Sequence, residues 1–269
     1  MFELTHLGQE RPHRRPYQRC CCSALFSVPV SLEPRNGLAN QPPDGKLHGM
    51  TELVGDAVLT GAHRRRGATG PVVLAVAAGL AAGAATSVAQ GVLPEQVASL
   101  ANSSGSWCLL AFLLALTAPS APAGAVCGFA SLACMLAGYV LTAWLHGYPS
   151  STGMVVFWSA AALLAGPVLG VGAQWLLRKP GPHAALGISS LCGVLIGEAA
   201  YGLLVVAEST EPRYWWSEGV FGVVLLVAAA VWKLRGLGVI LQAVLVTAAV
   251  ASAFPVMYLH GGVLMRLLP

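Results

Sequence analysis

VASLANSSGSWCLLAFLLALTA, residues Val97 to Ala118, supports two readings. Taken whole, it has the length of a helix that crosses a hydrocarbon core of roughly 30 Å, which needs about 20 apolar residues. Taken critically, ANSSGS at Ala101–Ser106 leaves only Trp107–Ala118 continuously apolar, too short to cross and suited to a re-entrant piece. Whether this stretch crosses fixes the side on which every later loop lies.

The surroundings supply the class. Of 269 residues, 56% are hydrophobic and only 10% charged, against roughly 25% charged in soluble proteins, and the mean hydropathy is +0.69. Apolar runs recur at Pro71–Leu93, Val97–Ala118, Ala123–Leu145, Met154–Leu177, Ala184–Ala207, Trp215–Trp232 and Leu237–Leu259. The expectation is an all-α, polytopic transmembrane helix bundle of about seven spans in a lipid bilayer, six if the second run does not cross. The alternation of about 10 residues per strand that marks a membrane barrel is not found. The formal charge of +4 does not point to nucleic acid, because the basic residues flank apolar runs rather than forming a soluble basic face. Arginine outnumbers lysine and Ala, Gly, Val and Leu dominate, a bias associated with high-GC bacterial genomes.

Lys and Arg in short loops collect on the cytoplasmic side. Seven spans with a cytoplasmic N-terminus place Arg64, Arg65, Arg66, Arg178, Lys179, Lys233 and Arg235 inside and only Arg213 and Arg266 outside. If the second run does not cross, the division is five against four. Seven spans therefore fit better, in the cell membrane, with the C-terminus outside. Trp107, Trp144, Tyr148, Trp175, Tyr214, Trp215, Trp216, Trp232 and Tyr258 mostly lie near proposed span ends, as an interfacial belt requires, with Trp107 the poorest fit. A competing reading takes SVAQ (Ser87–Gln90) as a signal-peptidase site, which leaves six spans.

Residues 1–49 hold RPHRRPYQRCCC and several prolines without an apolar period, and read as disordered. One reading is a basic arm with acylated cysteines; the other is that Met50 is the true start. Residues 50–70 then form a cytoplasmic juxtamembrane segment, 71–260 the helical domain and 261–269 a short tail.

Small residues four apart recur, including Gly79 and Gly83, Gly124 and Gly128, Gly166 and Gly170, and Gly193 and Gly197. In lipid, helix association relies on close backbone approach, so these read as packing faces. GLAAGAA in the first span is also a candidate surface for a partner membrane protein or a second copy. Pro167 is expected to kink the fourth span.

CGVLIGEAAYGLL (Cys192–Leu204) holds Glu198, the one charged residue placed deep in a span. A charge at the bilayer centre costs about 2.5–3.5 kcal/mol on insertion scales, so it faces the bundle interior. Tyr201 shares its helical face and is the candidate hydrogen-bond partner. Glu198 then binds a cationic solute, exchanges a proton, or only crosslinks helices. Glu208, Glu211, Tyr214, Trp215, Trp216 and Glu218, in AESTEPRYWWSE, are candidates for an acidic, aromatic outer mouth. His146 and His260 lie toward the same side but do not make a metal site, and no cofactor is expected. With no Walker loop, HExxH or GxSxG, and one carboxylate at depth, the chain does not read as an enzyme.

GPVLGVGAQWLL (Gly166–Leu177) and GVLIGEAAYGLL (Gly193–Leu204), preceded by NSSGSWCLLAFLLAL (Asn102–Leu116), resemble a family of uncharacterised multi-spanning membrane proteins of high-GC bacteria, classed as a domain of unknown function. The resemblance covers most of Leu74–Leu259 and implies no activity. Two functions compete. One is a small-solute carrier or the substrate-binding membrane subunit of a transporter, since the small-residue first span is similar to that of vitamin-importer subunits. The other is a non-transporting accessory or structural protein in which Glu198 is a packing element.

Overall fold

The computed structural model describes residues 67–267. They form helices α1 (Thr69–Val92), α2 (Glu95–Ala98), a 3-10 turn (Ser99–Asn102), α3 (Ser104–Leu116), α4 (Ala121–Leu145), α5 (Thr152–Arg178), α6 (Pro182–Val205), α7 (Pro212–Trp232) and α8 (Leu237–Leu267), with no strand among the described residues. The expectations for residues 1–66, including disorder, acylation and a start at Met50, fall outside the described residues.

Where no water is available to backbone groups, a spanning segment must satisfy its own N–H and C=O groups, so apolar runs become helices. Their ends follow the local chemistry. Ser120 and Ser151 cap α4 and α5 by accepting from the N–H groups of Ala123 and Met154, and Pro182 and Pro212 stand in the first turns of α6 and α7, where no N–H is needed. Gly147 and Gly236 end α4 and the α7–α8 turn with positive φ, 82° and 92°, where a side chain would be strained.

Six helices, α1 and α4 to α8, are long and apolar enough to cross a membrane. Their large apolar side chains point outward: Leu164 is 71% exposed, Val231 72% and Leu204 83%. The interior combines large apolar side chains such as Met135, Leu169, Leu191 and Leu195 with small or polar ones, Ala75, Cys127, Ser131, Ala173, Gln174 and Ser189, all but fully buried. Such a surface belongs in lipid, and this is a membrane-embedded protein.

The second apolar run is broken. Gln96–Asn102 and Ser104–Leu116 meet at a bend of 58°, so the continuous helix expected over Val97–Ala118 is replaced by two pieces. Ser103 is the cause: its backbone is extended and its side chain accepts from Ser106 N–H as an N-cap. The bent pair runs alongside α1 from its last turn back toward its beginning. At its start Gln90, in the last turn of α1, donates to Asn102 Oδ1 at 2.7 Å; at its end Thr117 lines a surface recess with Gly67, Thr69 and Pro71 at the beginning of α1. Counting the bent pair as one passage gives the seven expected. SVAQ is part of the last turns of α1, where Gln90 also accepts from Tyr139.

The paired glycines lie at helix crossings, as expected. A Cβ on Gly79 would stand 2.7 Å from Ser131 O, and one on Gly83 would run into the backbone of Met135, so α1 packs on α4. Gly124 and Gly128 meet Gly170 and Gly166 across α4–α5, and Gly193 and Gly197 meet Val250 and Ala251 across α6–α8. The glycines of GLAAGAA are therefore covered inside the bundle, not offered to a partner. Helix α5 continues through Pro167 as one element, and α8 extends beyond residue 260, where a tail was expected.

Candidate functional site

Helix α3 has 13 residues, about 20 Å at 1.5 Å per residue. Its first residues, Ser104 and Gly105, are buried, and the free N–H groups of its first turn and the free C=O groups of its last need partners.

The N-terminal end is met by a carboxylate. Ser104 N–H donates to Glu198 Oε1 at 2.8 Å, and Gly105 N–H donates to Glu198 Oε2. Ser103 Oγ lies 3.1 Å from Glu198 Oε2 and 3.2 Å from Glu218 Oε1. Glu198 is 3% exposed, Glu218 7% and Ser103 1%. The two carboxyl groups also face each other within hydrogen-bonding reach. Gly105 makes the approach possible, because a Cβ there would run into both carboxyl groups.

The hydrogen count constrains this cluster. A serine hydroxyl donates one hydrogen and accepts two. Ser103 Oγ already accepts from Ser106 N–H at 3.1 Å, and both carboxyl oxygens and the Tyr214 hydroxyl lie within its reach, so its single hydrogen cannot serve both carboxyl groups. An ionised carboxylate cannot donate. Two adjacent anions in a dry place repel each other, and one proton held by the pair removes that repulsion.

Beyond the carboxyl groups stands an aromatic wall. Tyr258 donates to Ser104 Oγ at 3.0 Å and is stacked on Phe254 with ring centres 4.6 Å apart. Tyr201 packs against Tyr258 at 5.2 Å and contributes its ring to this wall. It is not the hydrogen-bond partner expected for Glu198, whose oxygens are instead met by Ser103, Ser104 and Gly105.

The C-terminal end of α3 is held from α5. Gln174 donates to Ala115 O at 2.6 Å, and Arg178 bonds both Gln174 Oε1 at 2.5 Å and Ala118 O at 2.9 Å. An anion at the N-terminus and a cation at the C-terminus both suit the helix dipole.

The expected outer mouth does not assemble. Glu218 is inside the bundle with Glu198, one residue more at depth than the sequence reading allowed. Trp215 is buried, donates to Thr210 Oγ1 at 2.8 Å and fills the space left by Gly202. Glu208 and Trp216 are exposed, and Glu211 pairs loosely with the exposed Arg213 at 3.6 Å. Tyr214 is half-buried, edge-on to Trp215. His146 and His260 each bond a carbonyl one turn back on their own helix, and no group of three His, Cys, Asp or Glu side chains suited to a metal occurs among the described residues.

Ser103, Ser104, Gly105 and Tyr258 were not singled out by the sequence reading. The signal for the first three was present in the polar ANSSGS within an apolar run, read there only as an interruption.

The site and all but the last turn of the described helices lie within residues 62–263, and that span matches the model of DUF6518, a family of unknown function. The chain belongs to this family. No curated protein and no solved structure matches it. The match takes in all three stretches on which the family resemblance rested.

Proposed function

We propose that this protein is a carrier that moves a small solute across the membrane in exchange for, or together with, a proton held at the Glu198–Glu218 pair. The observation that carries the reading is the pair itself: two buried carboxyl groups facing each other at the N-terminus of a broken span, with no basic side chain bonded to either among the described residues. Polar groups at a helix break deep in a bundle are where carriers bind ions and substrates, and carboxyl groups within spans commonly mark proton relays.

Arg178, Lys179, Lys233 and Arg235 all belong to the ends of α5 and α7 and the turns after them. The excess of basic residues in cytoplasmic loops assigns that end to the cytoplasm, with the site about 10 Å of helix from the end of α6, at 1.5 Å per residue, toward the outer face. The plasma membrane and this orientation are parts of the proposal.

We infer no catalytic role. Both oxygens of Glu198 are taken by α3, and Gly105 already abuts the pair, so a reacting group has no place beside it.

A second reading, the accessory protein with Glu198 as a packing element, is favoured by that same saturation of Glu198. Proteoliposomes separate the two. With a pH dye inside and equal pH on both sides, pools of amino acids, polyamines, sugars and vitamins are added in turn. The carrier produces a solute-dependent pH change that Glu218→Gln abolishes. No response to any pool, or a response that Glu218→Gln leaves intact, contradicts the carrier.

A further inference from the structure

Two buried, facing carboxyl groups favour sharing one proton; their surroundings distinguish which of them holds it. Glu198 is the more heavily bonded, since it receives two backbone N–H groups from the first turn of α3 as well as facing the Ser103 hydroxyl. Hydrogen bonds from N–H groups and the positive end of a helix dipole stabilise an anion. A protonated Glu198 would waste this arrangement, because an acid O–H is a poor acceptor and would point a hydrogen toward donors.

Glu218 is placed differently. Its Oε1 reaches only the Ser103 hydroxyl and the neighbouring carboxyl, and its Oε2 is buried without any hydrogen-bond partner. An anion with an unpartnered oxygen in a dry place is costly, whereas a neutral acid there costs far less. The titratable groups around it are Glu198 on α6, Cys108 on α3, Tyr214 on its own helix and Tyr258 on α8, none of them cationic at neutral pH. The nearest arginine along the chain, Arg213, has a side chain 90% exposed and sits beside Glu211.

We propose that Glu218 is the proton-exchanging carboxyl of the pair and that Glu198 is a fixed anion, held by the N-terminus of α3, that positions it. The assignment deepens the carrier reading and rests on it for its biological use, though not for its geometry. In the resting state Ser103 donates to Glu198 and accepts from the Glu218 acid. On release, the Glu218 O–H bond breaks, the proton passes to water, and the electron pair stays on the carboxylate. Ser103 can then donate to only one of two anions, so Glu218 is left without a donor and the contact between α7 and α3 is no longer satisfied. Uptake of a proton from water reverses the step. Glu218 is on the second turn of α7, and Tyr214, four residues earlier and half-buried, lies between it and the loop after Val205.

The test is infrared spectroscopy of the purified full-length protein in lipid nanodiscs at neutral pH. The expected spectrum contains a protonated-carboxyl C=O band, shifted in D2O, which Glu218→Gln removes. Ser103→Ala, which takes away the acceptor of the acid proton, moves that band to higher frequency and serves as the second variant if Glu218→Gln is not obtained folded. A wild-type spectrum without the band, a band that survives Glu218→Gln, or a band that Ser103→Ala leaves unmoved overturns the assignment. If the band behaves as expected while no solute changes the pH in proteoliposomes, the carrier reading fails and the assignment of Glu218 stands.

Discussion

The two ends of helix α3 solve the same problem with different means. At its C-terminus, the free carbonyls of Ala115 and Ala118 are met by Gln174 and the partly exposed Arg178, with the cation at the edge of the bundle. At its N-terminus, the free N–H groups are met by Glu198, and a second carboxyl, Glu218, is present as well. The C-terminal end has the groups that capping requires and no more. The N-terminal end has one acidic group beyond that requirement, buried at a cost and bonded to a hydroxyl that was already occupied.

The comparison is broken most severely at Gly105. Replacement by alanine puts a methyl group where both carboxyl groups lie; overpacking combined with a displaced charged hydrogen bond is expected to cost about 3 kcal/mol. Denaturant titration of the purified variant in mixed micelles checks this. A loss confined to a few tenths of a kcal/mol would mean that the N-terminal cluster has room to spare. At the opposite end, Arg178→Ala removes a cation from the helix terminus and is expected to cost only about 1 kcal/mol, because the group is partly solvated and Gln174 remains. The same titration checks it, and equal losses at the two ends would remove the contrast drawn between them.

Much of the frame is legible in the sequence because it depends on patterns local to one helix. The length of the apolar runs marked the six long helices, and a seventh passage where the bent pair is counted as one; small residues four apart marked the crossings of α1 with α4, α4 with α5 and α6 with α8, and ANSSGS marked the place of the break. Glu198 was conspicuous because nothing around it in the chain is charged. Its partners were not, since Ser103 is 95 residues away and Glu218 pairs with that serine across 115. Glu218 follows Tyr214, Trp215 and Trp216, and in a linear reading it belongs to the loop those aromatic residues anchor. Only the packing of α7 against α3 and α6 turns its side chain inward. Tyr258 was taken for part of the interfacial belt for the same reason: an aromatic residue near the end of a span looks alike whether it faces lipid or a serine hydroxyl.

The most direct test of the unequal pair is to neutralise each glutamate in turn and compare stabilities by denaturant titration in mixed micelles at neutral pH. Glu198→Gln turns an amide donor toward a backbone N–H and is expected to cost about 2 kcal/mol. Glu218→Gln resembles the acid it replaces, donates to Ser103 in the same way, and is expected to cost less than about 1 kcal/mol. Equal losses, or the larger loss at Glu218, would contradict an anionic Glu198 holding α3 beside a protonated Glu218.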